Sequence, residues 1–262
     1  MTIPVYQVDA FSETIFGGNP AAICPIDNWL NDALMQRIAM ENNLSETAFI
    51  VKEDAGYHIR WFTPATEVKL CGHATLASAF VYFNILGYAG NSIIFNSKSG
   101  PLTVTREQNG RITLDFPSNP PELVSDPFPD IFAGLGIENA PVFKTSFDYM
   151  VVLETQNDIE ALNPDFTKLA KTPCRGIITT APGDEADFVS RCFYPQSGVD
   201  EDPVTGSAHT IMVPYWSARL KKNKLKATQL SKRRGHLDCE LKGDRVLMSG
   251  YGALFMKGQI EI

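Results

Sequence analysis

Leu70-Cys71-Gly72-His73-Ala74-Thr75-Leu76-Ala77-Ser78-Ala79-Phe80-Val81-Tyr82-Phe83-Asn84-Ile85-Leu86-Gly87 is the stretch whose reading decides the fold. Its spacing predicts a helix from the Gly72-His73 turn to about Leu86, closed by Gly87. Leu76, Ala77, Ala79, Phe80, Val81, Phe83 and Ile85 make that helix apolar on nearly every face. A helix with no polar side to give to water belongs in the middle of a domain, with other structure wrapped about it. The apolar run from Leu76 to Leu86 contains Ser78 and Asn84 and is too short to span a bilayer.

Working outward, strands are predicted on both sides of this helix. Upstream they are Val5 to Phe11, Ala21 to Cys24 after the Phe16-Gly17-Gly18-Asn19-Pro20 turn, Thr47 to Val51, and Tyr57 to Phe62 with alternating Tyr57, Ile59 and Trp61. Asn28 is the expected cap of a helix from Trp29 to about Asn42, whose Leu30, Leu34, Met35 and Ile38 fall at helical spacing. Downstream, strands are expected at Ser92 to Asn96, Leu102 to Arg106 and Arg111 to Phe116. Pro117, Pro120, Pro121, Pro127 and Pro129 then disfavour both regular elements, and this segment reads as a crossing between domains, 1–118 and 119–262. The second half offers strands at Tyr149 to Leu153, Gly176 to Thr180 and Phe188 to Phe193. It continues with a glycine-led helix from about Ser207 and closing strands at Val246 to Ser249 and Gly252 to Lys257.

The halves echo each other. Phe62-Thr63-Pro64 precedes Gly72-His73-Ala74 much as Phe193-Tyr194-Pro195 precedes Gly206-Ser207-Ala208. Tyr82 and Trp216 each follow the respective glycine by ten residues. A duplication implies two similar domains, each with a central helix entered through a glycine turn. Unpaired N–H groups and the helix dipole at two such starts would together suit an anion.

Composition bounds the partners. The 262 residues carry 23 basic and 30 acidic side chains, net −7, with basic residues paired only at Lys221-Lys222 and Lys232-Arg233-Arg234. Such a chain is a poor binder of phosphate backbones, so no nucleic-acid partner is expected. Cys24, Cys71, Cys174, Cys192 and Cys239 form an odd, scattered set without a Cys-x-x-Cys pair, against a disulfide framework or structural zinc. The first residues, Met1-Thr2-Ile3-Pro4-Val5-Tyr6, lack a basic n-region and a long apolar run. A cytoplasmic protein without membrane partners is the expectation.

Several polar residues invite chemistry, each with a plainer alternative. Glu46 lies between Leu44 and Ala48-Phe49-Ile50, where desolvation would suit it to proton transfer; a solvated loop glutamate fits the same sequence. His73, just inside a helix start, either serves a substrate or is a satisfied structural histidine, and the dipole there favours a neutral ring. Cys71 is either an activated thiol or a small buried one. Asp200, Glu201 and Asp202 are too few ligands for a hard cation on their own. Ser207 and His209, two apart on one helix, do not face each other and make no hydrolase triad with Asp202. Gly17-Gly18-Asn19 lacks the spacing of a phosphate-binding loop.

Taken in order, several segments resemble the PhzF-like (phenazine biosynthesis) family of the diaminopimelate-epimerase-like superfamily. They are Val8-Asp9-Ala10-Phe11, Gly18-Asn19-Pro20, Asn43-Leu44-Ser45-Glu46-Thr47-Ala48-Phe49, Phe62-Thr63-Pro64 with Glu67-Val68, and Leu70 to Thr75. Glu201-Asp202-Pro203-Val204-Thr205-Gly206-Ser207-Ala208-His209 and, more weakly, Ser231 to Leu237 continue the match in the second half. The resemblance implies an α+β fold of two similar domains, each a curved, mostly antiparallel sheet around a central helix, with the site between them. It implies an isomerase without metal or coenzyme, acting on a small carboxylic acid, commonly as a homodimer. By motif position it makes Glu46 the acid/base carboxylate and sets His73, Asp202, Gly72, Gly206 and Ser207 at the other active-site positions. Diaminopimelate epimerases oppose two cysteines; here Cys71 fits the first, while residues 193–238 hold none. Two other functions remain: a non-catalytic module binding a small acid, and an amino-acid epimerase using Cys71.

Overall fold

The computed structural model describes residues 1–53 and 56–262, and its chain divides into two units, Met1–Phe116 with Leu247–Ile262, and Pro117–Val246. The first unit contains β1 (Thr2–Ala10), β2 (Asn19–Ile26), α1 (Asp32–Asn42), β3 (Glu46–Glu53), β4 (Gly56–Phe62), β5 (Glu67–Val68), α2 (Gly72–Asn84), β6 (Ser92–Ser97), β7 (Gly100–Arg106) and β8 (Ile112–Pro117). The second contains β9 (Glu122–Leu123), α3 (Pro129–Leu135), β10 (Val142–Lys144), β11 (Asp148–Val152), α4 (Gln156–Ala161), α5 (Phe166–Leu169) and β12 (Gly176–Pro182). It goes on through β13 (Phe188–Tyr194), β14 (Val199–Asp202), α6 (Gly206–Leu220), β15 (Lys224–Gln229) and β16 (Gly235–Lys242). Along β17 (Arg245–Gly250) the chain returns to the first unit, and β18 (Gly252–Glu261) lies antiparallel to β1. The second domain expected over 119–262 is shortened at its end, because strand pairing groups Leu247–Ile262 with the first unit.

In the first unit the strands run in the order β18, β1, β2, β3, β4, β6, β7, β8, with β5 on β4. The pairs β2–β3 and β4–β6 are parallel, and each is joined through a helix, α1 and α2 respectively. Helix α2 touches β18, β1, β2 and β3 near one end of that order and β7 near the other, so the sheet curves round it. Eleven of its residues are buried, as an all-apolar helix requires. Burying each large aliphatic or aromatic side chain is worth roughly 1.5–3 kcal/mol, which makes α2 the main support of the unit. Helix α1 starts later than its sequence suggests. Asn31, not Asn28, caps it, its side chain accepting from the Leu34 N–H at 2.9 Å.

The second unit repeats this plan. Its strand order is β9, β10, β11, β12, β13, β15, β16, with β14 on β13. Here β11–β12 is parallel across α4 and α5, and β13–β15 is parallel across α6. The ring of Trp216 stacks on Phe188 of β13 and its N–H donates to Thr180 of β12 at 2.9 Å, while Tyr215 meets Phe143 of β10. Pro214 sits inside α6 and has no N–H for the Thr210 carbonyl; the Asn119 N–H takes that acceptor instead, at 2.9 Å. The proline-rich crossing is less bare than its sequence suggests, because Pro129 occupies the first turn of α3, where a missing N–H costs nothing. The α+β class expected from the sequence holds, and no helix among the described residues is long and apolar enough to cross a membrane.

Candidate active site

Glu46 is the first residue of β3, opposite Ala21 of β2, and His73 is the second residue of α2. The strand start and the helix start bring Glu46 Oε2 and His73 Nε2 to 3.1 Å. His73 is buried and the Glu46 side chain is only 17% exposed. Both facing atoms are buried, yet they meet off the line of a hydrogen bond and neither has another partner. Unmade hydrogen bonds on buried polar atoms are costly, so this pair is poised to accept a third group.

The far side of the His73 ring is held. Asn19 Nδ2 lies 3.1 Å from Nδ1 and Cys71 Sγ 3.6 Å from the same nitrogen. Asn19 is aimed there by a tight turn. Gly18 has φ +60°, and a Cβ on it would come within 2.1 Å of the Ala10 carbonyl oxygen. Nδ1 meets the Asn19 side-chain amide, and Nε2 faces the Glu46 carboxylate. Burial works against charge on His73, but the Glu46 carboxylate in contact favours it, and the ring is held above the ordinary histidine range. The helix start alone argued for a neutral ring; the carboxylate in contact reverses that balance. Burial, followed by Glu46, pushes the Cys71 thiol up to about 11, which keeps it a thiol at neutral pH.

Glu46, Cys71 and His73 offer candidate metal-ligand atoms within 4.8 Å of one another. The sulfur addresses Nδ1 and the carboxylate Nε2, on opposite edges of the imidazole.

In the second unit, Asp202 ends β14 and accepts from the Thr205 hydroxyl. Gln229 ties this corner together, donating to the Asp202 carbonyl and accepting from the Thr205 N–H. Gly206 begins α6, and the Ser207 Oγ accepts from Arg175 at 3.2 Å. His209 turns away from Ser207: its Nδ1 meets the Thr205 carbonyl at 2.8 Å, and burial lowers its pKa to about 4. A Ser207–His209 couple is absent, as the helical spacing required.

The structure thus joins Glu46, His73 and Gly72 in one unit, and Asp202, Gly206 and Ser207 in the other. Nothing in the local sequence marks Asn19, Asp148, Arg175 and Tyr194 as partners in these corners. The signal for Arg175 lay in the repeat, since Arg175-Gly176 stands where Ser45-Glu46 stands in the first unit.

Residues 8–258 match the family described as phenazine biosynthesis-like protein. Two uncharacterized isomerases of Pseudomonas aeruginosa are 50% and 48% identical over 262 residues, covering all of both chains in each case. A crystal structure of a phenazine biosynthesis protein of the PhzF family from Enterococcus faecalis superposes with a TM-score of 0.95 at 46% identity, covering 100% of each chain. The chain belongs to the phenazine biosynthesis-like, PhzF-like family of isomerases.

Proposed function

We propose that this isomerase moves a proton on a small carboxylic acid, with Glu46 as the acid/base group and His73 as its partner, and without a coenzyme. The observation that carries this reading is the buried, unsatisfied contact between Glu46 Oε2 and His73 Nε2. Such a pair can take a proton from carbon onto the carboxylate and return it at a neighbouring atom, the imidazole steadying the charge. Gly72 and the α2 start would hold a substrate carboxylate through backbone N–H groups, which α2 leaves without a capping side chain. We assign Gly206 and Ser207 a like part at the α6 start, and Asp202 a hydrogen-bonding or proton-relaying part, on motif position. The same reading takes the protein as a cytoplasmic homodimer in small-molecule biosynthesis or metabolism. Exposed Leu254, Phe255 and Met256 on β18 support self-association.

Turnover of small unsaturated acids by wild type and Glu46→Gln tests the proposal. General acid–base catalysis is worth roughly 10²–10⁴-fold, so Glu46→Gln loses that factor in kcat with little change in KM. A binding module would instead bind acids and release no product, in wild type as in the variant.

A further inference from the structure

We propose that Arg175, pinned by Asp148 against the start of α6, is a specificity-determining residue that seats a substrate carboxylate on its free Nη1, the Ser207 hydroxyl and the first-turn N–H groups of α6. That the carboxylate belongs to a substrate rests on the proposed isomerase function; the anion corner itself rests only on the second unit. Arg175 spends Nε and Nη2 on the two oxygens of Asp148, whose side chain is fully buried. Nη2 also donates to Ser207 Oγ at 3.2 Å, which leaves the serine proton free to point outward. Nη1 makes no hydrogen bond, and the side chain is 38% exposed.

Two further features favour an anion here. The cap residue Thr205 gives its hydroxyl to Asp202, so no side chain caps α6 and its first N–H groups stay available. Tyr194, whose ring centre lies 5.6 Å from the guanidinium carbon, keeps a buried hydroxyl without a hydrogen-bond partner. An arginine already fixed along one edge loses little freedom when its remaining Nη1 donor binds, and the serine hydroxyl beside it supplies a second donor. The class of ligand is a small acid whose carboxylate is flat and unhindered.

The probe is malonate, with the neutral diamide malonamide as control, titrated calorimetrically into the full chain. Removing Arg175 alone would strand the buried Asp148 charge, so the test variant is the double change Arg175→Gln with Asp148→Asn. Folding is checked by circular dichroism. The expected result is malonate binding to wild type, weakened by about tenfold or more in the double variant, with malonamide not binding and Arg175→Lys intermediate. Glu46→Gln should bind malonate within about twofold of wild type, since it touches none of these donors. A folded double variant that binds malonate like wild type overturns the inference, as does equal binding of malonamide or no malonate binding by wild type. If Glu46→Gln keeps full turnover while the double variant loses malonate, the corner stands and the proton-transfer reading falls. The converse result removes only the corner.

Discussion

The strand that follows the first parallel crossover begins with Glu46 in one unit and with Gly176 in the other. The match follows from register: Ala21 faces Glu46 as Asp148 faces Gly176, and Thr47 faces Phe62 as Ile177 faces Phe193. Both central helices start alike. Thr75 donates back to the carbonyl of cap residue Cys71, and His209 to that of cap residue Thr205. On this shared frame the side chains have parted. In one unit a carboxylate meets a histidine at 3.1 Å. In the other the glycine makes room for Tyr194, whose ring would lie 2.1 Å from any Cβ added at 176, and an arginine stands one residue earlier. One topology thus carries a buried carboxylate–imidazole pair in one copy and a cationic, donor-rich corner in the other.

Exchanging the features breaks the comparison in measurable ways. The largest effect is expected for Glu46→Gln, the roughly 10²–10⁴-fold fall in kcat that general acid–base catalysis supplies. Next is Gly176→Ala. Its methyl group collides with the Tyr194 ring, and overpacking of this kind costs about 1–3 kcal/mol, a drop in Tm of roughly 2–12 °C. Calorimetric melting checks it, and an unchanged Tm would mean that the two strand starts are not sterically different.

His73 gives a pH signature that its counterpart Ser207 cannot. Its folded-state pKa is raised, so the native state holds the proton more tightly than the unfolded chain does. That contribution is fully present below the unfolded value, about 6.5, and is lost as pH rises through the folded value. Urea denaturation should therefore show the gap between wild type and His73→Asn widest below pH ~6.5 and shrinking above it. A gap that grows with pH would reverse the assignment. The smallest effect is expected for Cys71→Ser, a few-fold at most in kcat, the worth of one ~1 kcal/mol contact. Loss of turnover there, or inactivation by a thiol reagent, would favour an epimerase working through sulfur.

Much of this is legible in the sequence where local rules dominate. The nearly all-apolar faces of residues 76–85 leave α2 no place but a core, and glycine turns announce both central helices. The echo between Phe62-Thr63-Pro64 and Phe193-Tyr194-Pro195 now has matching strand pairings beneath it. What escaped depends on pairing between distant segments. Nothing local in Gly252–Glu261 says that it lies beside β1. Asn28 and Asn31 are equally good caps by composition, and only the bond to Leu34 separates them. The partnership of Arg175 with Asp148 spans 27 residues, and the charge state of His73 turns on a carboxylate 27 residues upstream. Periodicity reports neither.

The most direct test is a single turnover in heavy water on an acid that the enzyme converts. On the proposed role the carboxylate of residue 46 exchanges its proton with solvent, so wild type should place solvent deuterium at one carbon of the product, and Glu46→Gln should place none at a comparable time. Equal labelling by both proteins would contradict the role given to that side chain.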